Sequence, residues 1–267
     1  MKLRTTLRII AAAAIIASCS HTVDTPSTDI TFETITGTYA YRLAGSARDY
    51  MRDSDIICYD SASVLLPLTL PGCDVTSLRD SIVSAAFDTV AEPAAAMRAY
   101  FASQGAESGY PTDTTTYATE ANAAGLLLVD GAVTYLTPSW MTYCVTTGIS
   151  MPGAAHGITT RRYINYSIAD GRQITLRSIF TPAGIERLPG LIASQARRMK
   201  AILGPTTIDA LPAADNFYLS ADGTIVFAYQ PYEVASYAQG EIRVPFYPYQ
   251  LSDLLNDTGL RIFGLNH

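Results

Sequence analysis

Cysteine and histidine carry the sharpest chemistry available to this chain, and both are scarce: four cysteines and three histidines in 267 residues. The first cysteine sits in a defined context. Ile16, Ala17 and Ser18 lead into Cys19 behind an apolar run from Ile9 to Ile16, and Lys2, Arg4 and Arg8 precede that run without an acid. A basic start, a short apolar stretch and small residues before a cysteine are the parts of an export leader. In this arrangement the leader is cut ahead of Cys19, whose thiol then carries lipid. The run is too short to cross a bilayer, which takes about 20 apolar residues, so residues 1–18 are expected to be a lipoprotein signal peptide and the mature chain to be anchored in a membrane of the cell envelope, periplasmic or surface-exposed.

Cys58, Cys73 and Cys144 remain. Three thiols cannot all pair, and export to an oxidising compartment allows one disulfide among them. Cys58 and Cys144, both in strand-like runs, are the candidate pair, with three buried thiols as the alternative. The absence of Cys-x-x-Cys suggests neither a redox motif nor a structural zinc site, so no cofactor or metal is expected. His156 is the one histidine between His21 near the start and His267 at the last position. A general base needs a nucleophile or a metal within reach, yet the sequence contains no Gly-x-Ser-x-Gly, Ser-x-x-Lys, His-Glu-x-x-His or Walker loop. A hydrogen-bonded structural histidine beside Gly157 is therefore the first expectation for His156, ligand contact the second and catalysis the third.

Between Pro231 and Gly240, Tyr232, Glu233 and Tyr237 have the makings of a binding rim, two aromatic faces and one carboxylate. Tyrosine suits such a surface because its ring gives contact area at low entropic cost while its hydroxyl finds a partner. The alternative is a loop of fixed shape in which the hydroxyls serve the backbone and Gly240 supplies an unusual dihedral. The sharper expectation sets the 152–157 and 231–240 loops side by side, with His156 near Tyr237 or Glu233. Phe246, Tyr247 and Tyr249, interleaved with Pro245 and Pro248, suit either a core or an exposed platform. Trp140 is expected in the core.

The elements that must position these residues follow from hydrophobic period and turn chemistry. Residues 20–30 are mostly polar around Pro26, as a tether is. β-Branched and aromatic residues are dense from Thr31 to Leu43 and from Asp55 to Leu68, which predicts strands. Val75, Leu78, Ile82, Ala86 and Val90 recur at helical spacing, predicting a helix kinked or broken at Pro93 and resuming through Met97 and Phe101. The stretch from Gln104 to Asn122 reads as an exposed loop. Asp130-Gly131, Asp170-Gly171 and Asp222-Gly223 each sit between β-rich runs, and the first of them predicts a hairpin between Leu126–Val129 and Val133–Leu136. A further strand is expected from Met141 to Ile149. Ile185, Leu188, Ile192, Met199 and Leu203 mark an amphipathic helix, and a short last helix is expected from Tyr249 to Leu255. Strands and helices alternate without a phosphate loop or a βαβ rhythm, so the fold class is α+β, antiparallel sheets each packed against a helix.

Charge is uneven. Residues 19–150 hold 5 bases and 15 acids, residues 151–267 hold 10 bases and 9 acids. An acidic half can steer a cationic partner or simply keep the chain soluble. Nucleic acid is not an expected partner, because phosphate binding needs clustered cations and only Arg161-Arg162 and Arg197-Arg198 with Lys200 approach that.

Two ordered blocks in the second half carry a resemblance. Pro-Gly-Ala-Ala-His-Gly at 152–157 is followed by Tyr163-Ile-Asn-Tyr-Ser-Ile-Ala-Asp-Gly-Arg-Gln-Ile-Thr-Leu-Arg-Ser-Ile-Phe, ending at 180. Phe217-Tyr-Leu-Ser-Ala-Asp-Gly-Thr-Ile-Val-Phe-Ala-Tyr-Gln-Pro-Tyr-Glu-Val-Ala-Ser-Tyr-Ala-Gln-Gly then runs to Gly240, and Ile242 to Phe246 closes the block as a strand. Over residues 150–256 this resembles the extracellular domain of RsiV-like proteins, the family that includes a lysozyme-sensing anti-sigma factor. Residues 45–150 resemble the partner region that precedes this domain and that also occurs beside a peptidoglycan deacetylase domain. With the leader and tether read above, the resemblance divides the chain into four segments: signal peptide 1–18, tether 19–30, N-terminal partner region 31–150 and RsiV-like domain 151–267. The sensing member has a cytoplasmic segment and a spanning helix that this sequence does not show, and no His and Asp cluster for a deacetylase metal is present. The expectation is accordingly a non-enzymatic binding protein, held in the membrane through Cys19, that meets lysozyme or a peptidoglycan fragment (a muropeptide). Its rivals are a peptidoglycan hydrolase using His156 and a structural or assembly lipoprotein of the envelope.

Overall fold

A computed structural model describes residues 30–43, 56–71, 73–107, 112–113, 123–150, 155–202, 211–212 and 215–265. The leader, Cys19, nearly all of the tether, residues 152–154 and the side chain of Cys58 lie outside the described part. The fold is α+β, with helices packed on its sheets. Two compact units are formed, one from residues 1–132 and 145–161, the other from 133–144 and 162–267. The division therefore runs through strands rather than between residues 150 and 151.

In the first unit, β1 (Thr31–Leu43) and β2 (Ile56–Thr69) pair antiparallel, Ile35 opposite Val64, and β3 (Thr112–Asp113) adds to the other side of β1. β4 (Ala123–Leu136) joins β2 in parallel, Ser61 opposite Leu128. Parallel neighbours need a crossover, and α1 (Thr76–Phe87) and α2 (Pro93–Glu107) lie within it. Ala62, Val64 and Leu66 of β2, with Leu127 and Val129 of β4, are buried at every second position, the strand period. Leu78, Ile82 and Ala86 of α1 and Met97 and Phe101 of α2 are buried at helical spacing. The helix contact is close: a Cβ at Gly37 would stand 2.6 Å from Cε of Met97. Pro93 marks a break, not a kink. α1 ends at Asp88 in left-handed conformation, and α2 restarts with Pro93 as its first residue while the Glu92 carboxylate accepts from the Ala94 and Ala95 amides. Val90, expected on the helix, is 63% exposed in the gap.

The hairpin expected at Asp130-Gly131 does not form. β4 runs straight through it because Ser63 and Val64 of β2 pair with these two residues. The chain turns instead at Thr137–Ser139, where Thr137 Oγ1 accepts from the Trp140 amide at 3.0 Å. β5 (Trp140–Ser150) and β6 (Ile158–Ser167) follow, and β4, β5 and β6 each give one stretch to each unit. The seven-stranded hydrogen-bond order is β3-β1-β2-β4-β5-β6-β7, with β7 at Arg172–Ile174.

The second unit shows the other two Asp-Gly turns as predicted, with Gly171 at φ 63 and Gly223 at φ 82. α3 (Leu176–Ile179) leads to α4 (Pro182–Met199), which is capped by Thr181 accepting from the Gly184 amide. β8 (Phe217–Leu219), β9 (Ile225–Tyr229) and β10 (Ile242–Phe246) form an antiparallel sheet in the order β10-β9-β8. Leu188, Ile192, Ala193 and Ala196 of α4 share one core with Phe217, Leu219, Phe227, Val244 and Phe246. The helix expected at Tyr249–Leu255 is a 3₁₀ helix at Pro248–Leu254, and α5 (Asp257–Ile262) follows on an Asn256 cap. Asn165 of β6 takes the place of a strand partner for β8. Its Nδ2 donates to the Phe217 carbonyl at 2.8 Å, and its Oδ1 accepts from the Leu219 amide at 3.1 Å.

Cys144 is buried; the expected Cys58–Cys144 pair falls on a side chain, that of Cys58, outside the described residues.

Candidate binding site

The loop from Gln230 to Glu241 joins β9 to β10 and holds three of the four binding residues expected from sequence. Its shape is locked from within. Glu233 Oε2 accepts from the Gln230 amide at 2.8 Å, and the Glu233 amide donates back to the Gln230 carbonyl at 3.0 Å. A single 3₁₀ turn at Tyr237–Gln239 closes on Gly240, which sits at φ 66 and ψ −151, a region that essentially only glycine enters. Tyr232 holds φ 70, which a bulky side chain rarely adopts. Its ring stacks on Tyr237 with centroids 5.6 Å apart and planes 28° apart, while the residue stays 61% exposed. Strain, internal hydrogen bonding and a stacked pair with one exposed ring, that of Tyr232, thus occur together in one short loop. Glu233, exposed, gives its Oε2 to the Gln230 backbone.

His156 belongs to the first unit and the tyrosine loop to the second. The imidazole is exposed, and its Nδ1–H donates to the Gly157 carbonyl at 3.0 Å. Gly157 stands where a Cβ would lie 2.8 Å from the Ile149 carbonyl oxygen, so this turn needs a residue without one. Among the described residues no three of His, Cys, Asp and Glu are grouped to hold a metal ion.

A second cluster, not foreseen from sequence, occupies the face of the small sheet opposite its core. Tyr218 of β8 stands across from Val226, and Arg243 of β10 across from Ala228. Tyr163 of β6 lays its ring on Tyr218 with centroids 4.3 Å apart and donates its hydroxyl to Glu241 Oε1 at 3.1 Å. Arg243 donates Nε and Nη2 to Glu241 Oε2 at 2.8 and 2.6 Å. Burial pushes the Tyr163 and Tyr218 hydroxyls up from their ordinary range, and the nearby Glu241 charge adds to both.

The C-terminal aromatics divide. Phe246 is in the core, whereas Tyr247 and Tyr249 are exposed and stacked, centroids 5.7 Å apart. Trp140 is half-buried, edge-on to Tyr135 and Phe263. No described helix is long and apolar enough to cross a membrane.

Residues 177–247 match the model of the DUF3298 family, described as a protein family of unknown function. No curated protein matches the chain. Among solved structures, a DUF3298 family member from Bacteroides fragilis is similar at a TM-score of 0.64 and 19% identity, over 88% of this chain and 96% of that one. A DUF3298 family protein from Pseudomonas aeruginosa is similar at a TM-score of 0.56 and 13% identity, over 84% and 94%. The chain thus shares the fold of these two DUF3298 proteins, and the stretch that matches the family model lies within its second unit.

Proposed function

We propose that this chain is a lipid-anchored envelope protein that binds rather than transforms its ligand, through the loop between β9 and β10. The observation that carries the reading is the Tyr232–Tyr237 stack, whose Tyr232 ring stays exposed on a loop closed by its own hydrogen bonds, with Tyr232 kept in a strained backbone conformation. Rigid aromatic faces lose little entropy on binding and stack on sugar rings or apolar protein surface. A peptidoglycan fragment is the ligand this favours. Lysozyme is the second, on a different observation: the 15 acids against 5 bases of residues 19–150 suit a basic protein.

The test is to titrate the full-length chain in detergent by calorimetry, with lysozyme and with muropeptides in parallel. Saturable heat with either, lost in Tyr232→Ala with Tyr237→Ala, is the expected result. Binding that the double variant leaves intact moves the site elsewhere, and silence with both ligands overturns the proposal. Turnover of peptidoglycan lost in His156→Ala would establish the hydrolase rival instead.

A further inference from the structure

We propose that Arg243 is the anion-recognising residue of a ligand site at the β10 edge of the small sheet, where its guanidinium takes a ligand carboxylate beside the Tyr163–Tyr218 pair; this rests on the saccharide reading above and names the chemistry that such a ligand must carry.

A guanidinium has two edges that can meet a carboxylate in parallel. In Arg243 the Nε and Nη2 edge is turned toward Glu241, both bonds ending on Oε2. The Nη1 and Nη2 edge meets no hydrogen-bond acceptor among the described residues. Exposure within the pair is lopsided: the Arg243 side chain is 51% exposed and that of Glu241 is 6%. An ordinary surface bridge leaves both partners in water and contributes little. Here the carboxylate is inside the protein, is held on its other oxygen by the Tyr163 hydroxyl, and presents the guanidinium outward. The three side chains form a chain of support running from Tyr163 through Glu241 to an open fork of donors.

The ligand chemistry follows from charge and shape. Glu241 already balances Arg243, so the site recognises its anion by the geometry of the fork rather than by a net positive field. That favours a planar singly charged carboxylate over a doubly charged phosphate. Tyr218 lies close enough to Arg243 for the guanidinium to act on its hydroxyl, and it stacks with Tyr163. The group next to the carboxylate therefore meets aromatic surface, which accommodates a sugar ring.

Three probes separate the elements of the claim. N-acetylglucosamine has the ring and no carboxylate, N-acetylmuramic acid adds a lactyl carboxylate to that ring, and muramyl dipeptide closes that carboxylate into an amide and carries its one free carboxylate at the end of the peptide. Titrated into the full-length chain, at least one of the two acids is expected to bind about tenfold tighter than the neutral sugar, the size of one charge-assisted contact. Whichever acid is preferred identifies where the recognised carboxylate sits. Arg243→Gln abolishes the preference. Arg243→Lys, which keeps the charge and loses the fork, recovers only part of it. Tyr163→Phe keeps the ring and releases Glu241, so it lowers the preference without abolishing it. A preference that survives Arg243→Gln, or a wild-type chain that binds all three probes equally, overturns this inference alone. Failure of the wild-type chain to bind any of the three overturns the saccharide reading with it.

Discussion

Asp60 is the residue whose environment conflicts most sharply with its chemistry. It is 1% exposed, on the buried face of β2 with Ala62 and Val64, and its Oδ2 meets no donor among the described residues. Burial pushes its carboxyl up to about 7, opposed by one hydrogen bond from the Leu127 backbone. An acid whose folded value is raised binds more protons folded than unfolded between its two values, so stability is fullest below about pH 4 and falls as pH rises to about 7. The loss over that window is of order 4 kcal/mol. Asp60→Asn should remove this dependence: urea midpoints of the two chains should agree at pH 4, and the variant should be the more stable at pH 7.5. Equal midpoints at pH 7.5 would show that the buried carboxylate is solvated after all. Tyr232 poses the converse test, because its ring faces outward while its backbone is strained. Tyr232→Gly relieves a strain of about 1 kcal/mol and deletes the ring, so its thermal midpoint should hold or rise while ligand affinity falls. Gly240→Ala reverses the pattern. Nothing stands within 4 Å of the added Cβ, so its destabilisation of about 1–3 kcal/mol is a pure backbone effect.

Asn165 stands between β6 and β8, and removing it breaks a pairing that no backbone supplies. It is 2% exposed, and its amide meets the Phe217 carbonyl, the Leu219 amide and the Thr142 hydroxyl. Asn165→Leu leaves two buried backbone groups without their side-chain partner and should cost about 2–4 kcal/mol, seen as an earlier urea midpoint; a loss under 1 kcal/mol would mean that water replaces the amide. This side-chain pairing was illegible in the sequence, because a polar residue inside a strand-like run says nothing about which strand it faces. What was legible is what local pattern determines. β1 spans Thr31–Leu43 as its β-branched density predicted, and α4 carries its apolar stripe at Leu188 and Ile192. Turn chemistry was right where strand pairing did not compete, at Asp170-Gly171 and Asp222-Gly223. It was wrong at Asp130-Gly131, where pairing with β2 keeps the strand extended. In the same way, the Tyr232 and Tyr237 pair could be anticipated from composition within one loop. The Tyr163, Tyr218 and Arg243 cluster could not, since three separate strands bring it together.

At the scale of the whole molecule, charge separates the two ligand readings. From Cys19 to residue 150 the sequence is acidic, and beyond it nearly balanced, while the tyrosine loop and the Arg243 cluster both lie in the balanced half. A basic protein such as lysozyme would be attracted by the acidic half as a whole. A saccharide would be held by stacking and by one supported guanidinium, at contact distance. Those two modes respond differently to salt. Raising ionic strength from about 0.1 M to about 1 M shortens the screening length from ~10 Å to ~3 Å, which removes long-range steering and leaves stacking untouched. Lysozyme affinity should then fall by about tenfold or more, with most of the change in the association rate. Affinity for a neutral oligosaccharide should change by less than about twofold. The Arg243 contact, half exposed, should weaken by an intermediate factor, and only for ligands that carry a carboxylate. Measuring all three by calorimetry on the same full-length chain assigns each ligand to its mode of capture. A lysozyme affinity indifferent to salt would remove the acidic half from recognition and leave the tyrosine loop to account for binding alone.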